Sequence, residues 1–262
     1  MALLDDQTAN VQAEVTGNPR VLADVDVVLV AVKTYATEVA LLPLDGVLAS
    51  TVPIVSLQNG ILARDQIAAA LGENRPIALA PTTEAATSPA PGRARHTGHG
   101  ETSMGWAAAS EGDDAVLTAL VEALRRAGLA ADVTSPIEPN VWGKLIVNAA
   151  VNPVTALAGV PNGELLSNPA LRSRAMTLAR EAAVVAAAAA VRLPFENAEA
   201  EVERVARTTA ANRSSMLEDI ERGRPTEIDA LNGEIVRRAH LFGVAVRENA
   251  RACDEVRARM KA

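Results

Sequence analysis

The sequence is short of cysteine, aromatic residues and lysine, and each shortage excludes something. One cysteine, Cys253, occurs in 262 residues. No disulfide framework can therefore brace the chain, and this usage fits a reducing cytoplasm. Aromatics make up 2%, which leaves the core to Ala, Val, Leu and Ile. No apolar run reaches the roughly 18 residues of a membrane span. The longest, Ala182 to Val191, is mostly alanine and reads as a tightly packed helix. The first twenty residues are polar and acidic, unlike a secretory leader. A net charge of −7 argues against a nucleic-acid backbone as partner. With 49% hydrophobic residues the chain can bury a sizeable core. The expectation is a cytoplasmic enzyme with no membrane or nucleic-acid partner.

Lysine is rarer than the charge suggests. Of 25 basic residues only Lys33, Lys144 and Lys261 are lysine. Lys261 is next to the C-terminus, whereas Lys33 and Lys144 lie beside or inside apolar segments. Lysine can lose and regain a proton in a shifted environment and arginine cannot, so these two are candidates for chemistry. They could equally be long side chains that keep the head in water.

The two halves of the chain read differently. Up to about residue 135, short apolar runs alternate with helical stretches. Val25 to Val32 is β-branched and nearly continuous, as in a strand buried on both faces. Pro53 to Leu57 and Pro76 to Ala80 predict two more strands. Helices are expected over 34–42, 61–71 and 113–127, and a hairpin over 92–106. This alternation implies a parallel α/β sheet. Beyond Ser135-Pro136 the strand signals vanish. Helices are expected over 140–157, 169–191, 198–221, 226–241 and 248–260. The domains are therefore placed at 1–135 and 136–262.

Three groups of residues point to chemistry. In WGKLIVNAAVNPVTAL, helical geometry puts Asn148 about 40°, Asn152 about 80° and Thr155 about 20° round from Lys144. An ammonium and two carboxamides thus share one stripe of an otherwise apolar helix. Buried polar groups need partners, so the stripe is either a seam against another helix or the lining of a cleft. Pro153 is expected to kink the helix there. The second group is Ser214-Ser215, followed by Thr226, Glu227 and Asp229 at the start of a helix. The helix dipole alone explains acids in a first turn, and the serines could be surface hydroxyls. The third comprises two strand ends, Lys33 and Asn59, where ligands of open α/β sheets bind. Asn59-Gly60 could equally be a plain turn. His96 and His99 have no third metal ligand nearby in sequence, no G-x-S-x-G occurs, and Cys253 lacks a catalytic signature.

In order and spacing, VLVAVKTY, LQNGI, PTTEA…PGRARHTGHG, WGKLIVNAAVNPVTAL…PNGEL and SSMLEDIERGRPTEIDALNGEIV resemble the ketopantoate reductases. The resemblance runs from about Val25 to Asn249. It implies a Rossmann-like NADP-binding domain followed by a helical catalytic and substrate domain of the 6-phosphogluconate dehydrogenase-like type. It implies NADPH-dependent reduction of 2-dehydropantoate to (R)-pantoate in pantothenate and coenzyme A biosynthesis. By position, Lys144 is the implied catalytic lysine and Glu227 its acidic partner, also near the cofactor. Asn148, Asn152, Asn162 and Ser215 match substrate-binding positions. Asn59 matches the cofactor–substrate junction, and Lys33 a cofactor contact. Dimerisation through the helical half is a further expectation.

One family feature is missing: no G-x-G-x-x-G turn precedes VDVVLVAV. Relative to the family pattern, roughly 40 to 60 residues, the first βαβ unit and the strand after it, are absent. Three explanations stand: a fragment of a normal protein, a former reductase with another role, or a chain completed by strands from a partner. The competing functions are another 2-keto acid or imine reductase, and a non-catalytic binding or assembly protein.

Overall fold

The computed structural model describes residues 10–108 and 112–261. The start Met1 to Asp6, where the family's first unit is expected to have ended, lies outside the described residues. The chain divides into two compact units, 1–58 with 63–138, and 59–62 with 139–262. The sequence boundary near 135 does not anticipate that 59–62 belongs with the helices.

The first unit is built on a sheet. In chain order it contains β1 (Val28–Val30), α1 (Thr37–Leu41), β2 (Ile54–Ser56), α2 (Ala63–Leu71), β3 (Ile77–Leu79), β4 (Ala85–Ala90), β5 (Arg93–Gly98), β6 (Glu101–Trp106), α3 (Asp114–Arg126) and β7 (Ala130–Val133). The larger sheet has the order β1-β2-β3-β6-β7. β1, β2 and β3 are parallel, with Val28 opposite Ile54 and Ile54 opposite Ile77. The apolar run around β1 does form a parallel strand, but only over Val28–Val30 and at the end of the described sheet, where Leu29 is 51% exposed; the expected burial on both faces is corrected. β6 joins β3 antiparallel and β7 parallel. The expected 92–106 hairpin is corrected here. Its turn is at Pro91-Gly92, between β4 and β5, which form a separate two-stranded ribbon. Residues 101–106 instead enter the main sheet, burying Thr102 and Met104. Both β4 and β7 escape a reading of apolar periodicity because they are short and largely exposed. On α3, Leu117 and Val121 share a core with Val55, Ala78, Met104 and Ala131.

The second unit is helical: α4 (Glu138–Ala158), α5 (Glu164–Ser167), α6 (Pro169–Ala188), α7 (Ala198–Thr208), α8 (Ser215–Glu221), a five-residue π-turn (Asp229–Gly233), α9 (Glu234–Phe242) and α10 (Arg247–Lys261). α4 has the length and apolarity to cross a membrane, yet 78% of its most apolar window is buried in the protein. It supplies the centre of the core, with Leu145, Ile146, Ala149 and Ala150 at 0% exposure. α6 buries Ala175, Leu178, Ala179, Ala182, Val185 and Ala186 in the same core. These small side chains recur at three- and four-residue spacing, which is one helix face. Cys253 is buried on α10, and burial pushes its thiol up to about 11, which makes it unreactive.

Two helix predictions are corrected. The expected 198–221 helix is two helices, because Thr209 to Ser214 leaves helical geometry and Ser214 caps α8 by accepting from the Leu217 amide. The expected 226–241 helix opens with the π-turn, closed by the Gly233 amide donating to the Ile228 carbonyl at 3.0 Å. Pro153 sits inside α4, which continues through it to Ala158.

Candidate active site

The site is assembled in the helical unit, from α4, the loop before the π-turn and the segment 59–62. On α4, Lys144 and Asn148 are half-buried, Asn152 is 7% exposed and Thr155 fully buried. The stripe divides by depth. Its deep end is a seam: Thr155 Oγ lies 2.8 Å from Ser214 Oγ and 2.9 Å from the Val151 carbonyl. Ser214 is therefore a buried capping residue rather than a surface hydroxyl. Its neighbour Ser215 is exposed, at the first residue of α8.

The shallower end carries the charge. Glu227 is only 6% exposed. Its carboxylate does not cap the helix that follows; it accepts the Asn59 amide at 3.0 Å. The Glu227 backbone carbonyl does the local work, accepting from the Ala230 and Leu231 amides. Asp229, by contrast, takes an exposed Arg257 and needs no role beyond helix-end electrostatics. Asn148 Nδ2 reaches Asn59 Oδ1 at 3.5 Å, the outer limit of a hydrogen bond. One carboxamide, Asn59, thus links the acid of one element to the amide of another.

Gly60 makes that placement feasible. Its φ is +83°, and a Cβ there would stand 2.7 Å from the Ala230 carbonyl oxygen of the π-turn. The segment after Asn59 can approach the π-turn this closely only without a side chain.

Burial lowers the Lys144 ammonium to about 8, and the nearby Glu227 carboxylate limits the fall. An ordinary solvated lysine head is not held this way. A lysine that titrates near neutrality, beside a buried acid and two carboxamides, can deliver or take a proton within the physiological range.

The remaining predicted residues lie on other segments. The Asn162 amide donates to Thr209 Oγ at 2.9 Å, next to the end of α7. Lys33 is in the sheet unit, just beyond β1, where its carbonyl accepts the Ala36 amide. Beside it the Gln58 amide donates to the Val32 carbonyl and lies 2.7 Å from Thr37 Oγ, joining the carboxyl ends of β1 and β2. Sequence reading missed Gln58, whose only signal was its place after an apolar run. His96 Nε2 lies 2.6 Å from Glu84 Oε2, and its ring meets that of His99 edge-on. Among the described residues no set of three His, Cys, Asp or Glu side chains is placed to hold a metal ion.

Residues 3–108 match the family model described as ketopantoate reductase PanE/ApbA, and residues 136–260 match its C-terminal counterpart. The chain belongs to the ketopantoate reductase family. It is 39% identical over 222 residues to the 2-dehydropantoate 2-reductase of Archaeoglobus fulgidus, covering 84% of this chain and 72% of that one. With the 2-dehydropantoate 2-reductase of Halobacterium salinarum it shares 35% over 252 residues, 92% of this chain and 78% of that one. Among solved structures, a PanE/ApbA family ketopantoate reductase from Ralstonia eutropha superposes with a TM-score of 0.83 at 29% identity, covering 94% of this chain and 79% of that one. D-mandelate dehydrogenase, solved with NADH and anilino(oxo)acetate, superposes at 0.82 and 25% identity, covering 90% and 77%.

Proposed function

We propose that the chain is an NADPH-dependent 2-dehydropantoate 2-reductase, forming (R)-pantoate on the route to pantothenate and coenzyme A. The observation that carries this reading is Lys144: a half-buried lysine brought to about 8, with Glu227 acting on its charge, in a member of the ketopantoate reductase family. When bound, the nicotinamide supplies the hydride for C2 of the keto acid. Lys144 holds a proton at Nζ for the keto oxygen, and its positive charge stabilises the alkoxide that develops there. Lowered to about 8, the ammonium gives up its proton more readily than an exposed lysine would, yet is still populated at neutral pH. Glu227 keeps it populated and holds Asn59.

Asn148 and Asn152 are assigned to the substrate's hydroxyl and carboxylate. Asn152 suits this because it lies on the Lys144 stripe and is only 7% exposed. Asn162 and Ser215 complete the proposed substrate contacts. Lys33 and Asn59 are the proposed cofactor contacts, with Glu227 nearby. A cation at a strand's carboxyl end and a carboxamide suit a dinucleotide. The chain holds no G-x-G-x-x-G turn, so no pyrophosphate contact is assigned.

The test follows NADPH oxidation with ketopantoate, with NADH and other 2-keto acids as comparisons. Ketopantoate should be preferred, and kcat/KM should fall above pH about 8 as Lys144 loses its proton. Preference for another 2-keto acid would reassign the substrate, a reading that the likeness to D-mandelate dehydrogenase favours. A folded protein without saturable NADPH binding would defeat the reductase reading. The proposal includes a homodimer, checked by light scattering.

A further inference from the structure

α4 contains a backbone defect beside its catalytic stripe. In an α-helix the amide of residue 153 would donate to the carbonyl of residue 149. Pro153 has no N–H, so the Ala149 carbonyl loses its partner inside the buried core. The structure fills this place from another element. Asn232 Nδ2 lies 2.9 Å from the Ala149 oxygen and 3.0 Å from Asn249 Oδ1, which uses both hydrogens of one amide. Asn232 is completely buried and belongs to the π-turn. The network continues: the Asn249 amide donates to Glu181 Oε2 at 2.9 Å and to the Leu178 carbonyl. Glu181 in turn accepts the Glu248 and Asn249 backbone amides at the start of α10. The π-turn is therefore tied on one side to α4 and on the other, through Asn249, to α6 and α10.

The location gives this tie a consequence. Ala149 directly follows Asn148. The turn that carries Asn232 begins two residues after Glu227, and the Glu227 carbonyl accepts that turn's Ala230 and Leu231 amides at 3.0 Å. We infer that Asn232 is a positioning residue: by occupying the acceptor that Pro153 leaves open at Ala149, it sets the Glu227 carboxylate against the Lys144–Asn148 stripe. Pro153 then serves to open a docking point for the π-turn, with no kink required of it.

The inference rests on the reductase reading for its kinetic arm but not for its spectroscopic one. With only three lysines in the chain, protein carrying 13C-labelled lysine yields a resolvable Lys144 titration by NMR without turnover. In Asn232→Ala, Glu227 drifts from Lys144, so the Lys144 titration moves below its wild-type value. kcat falls about ten- to a hundredfold with little change in KM, and the melting temperature drops. Adding Pro153→Ala restores an amide to the Ala149 carbonyl but not the tie. The double variant should thus regain melting temperature while keeping the displaced titration and the low kcat. If the single variant does not fold, the double variant carries the test alone. An unchanged Lys144 titration in either variant overturns the inference. So does recovery of titration and kcat on adding Pro153→Ala, because Asn232 would then only satisfy a carbonyl. Failure of the wild-type protein to reduce ketopantoate counts against the reductase reading and leaves the NMR result to decide this one.

Discussion

At the scale of single residues, the proposed chemistry turns on one ammonium and one carboxylate. Burial acts against the charged form of Lys144, while Glu227 acts for it, and the balance leaves a group near 8. Removing the lysine removes both the proton and the charge that faces the alkoxide. Lys144→Ala should lower kcat/KM by about 10²- to 10⁴-fold, with circular dichroism unchanged. Glu227→Gln retains size and hydrogen bonding but deletes the charge that raises Lys144. The alkaline limb of the pH–rate profile should then move to lower pH, and an unmoved limb would assign it to a different group. The lysine was legible in the sequence because it is rare and its carboxamide neighbours recur at helical spacing. The role of Glu227 was implied only by the family resemblance; its local pattern did not carry it, since an acid near a helix start has an ordinary explanation. Only its 3.0 Å contact with Asn59, which is 168 residues away in the chain, separates the two readings.

At the scale of elements, position depends on close backbone approach. Gly60 adopts φ +83° and leaves no room for a Cβ beside the Ala230 carbonyl. Gly60→Ala meets both a left-handed backbone penalty of about 1–2 kcal/mol and this contact. The segment carrying Asn59 should withdraw from the π-turn, lowering kcat/KM about ten- to a hundredfold. A measured kcat/KM within about twofold of wild type, outside that range, would show that the segment relaxes without losing the site. Helices with long apolar stripes, α4 and α6 above all, could be placed from periodicity alone. The break between α7 and α8 could not, because 198–221 has no proline or glycine to mark it. It arises where Ser214 finds Thr155, a tertiary contact across 59 residues. β6 was misassigned to a hairpin because its Gly- and Thr-containing sequence looks like a turn-rich ribbon. Pairing with both β3 and β7 makes it an inner strand.

For the whole molecule, the half-buried Lys144 couples function to stability. The folded Lys144 is lowered to about 8 from 10.5, so the unfolded chain binds its proton more tightly. Between these values the unfolded state holds more protons, and stability rises with pH through that window. Below it, keeping the ammonium buried costs of the order of 3 kcal/mol. Urea midpoints should therefore climb between pH 8 and 10 in the wild-type protein relative to Lys144→Met, which removes the charge. The variant should also be the more stable at pH 7, and parallel profiles for the two proteins would refute the linkage.

Composition and periodicity sufficed for the two-part plan of sheet then helices, for the dominance of small aliphatic side chains in the core, and for the stripe bearing Lys144. These properties are local or additive, so they are written along the chain. Motif order also sufficed for the family. The partners of Glu227, the glycine that admits Asn59, the contact of Ser214 with Thr155 and the amide that answers Pro153 were decided by tertiary structure. Each depends on two groups far apart in sequence meeting within about 3 Å, and no one-dimensional pattern encodes that meeting.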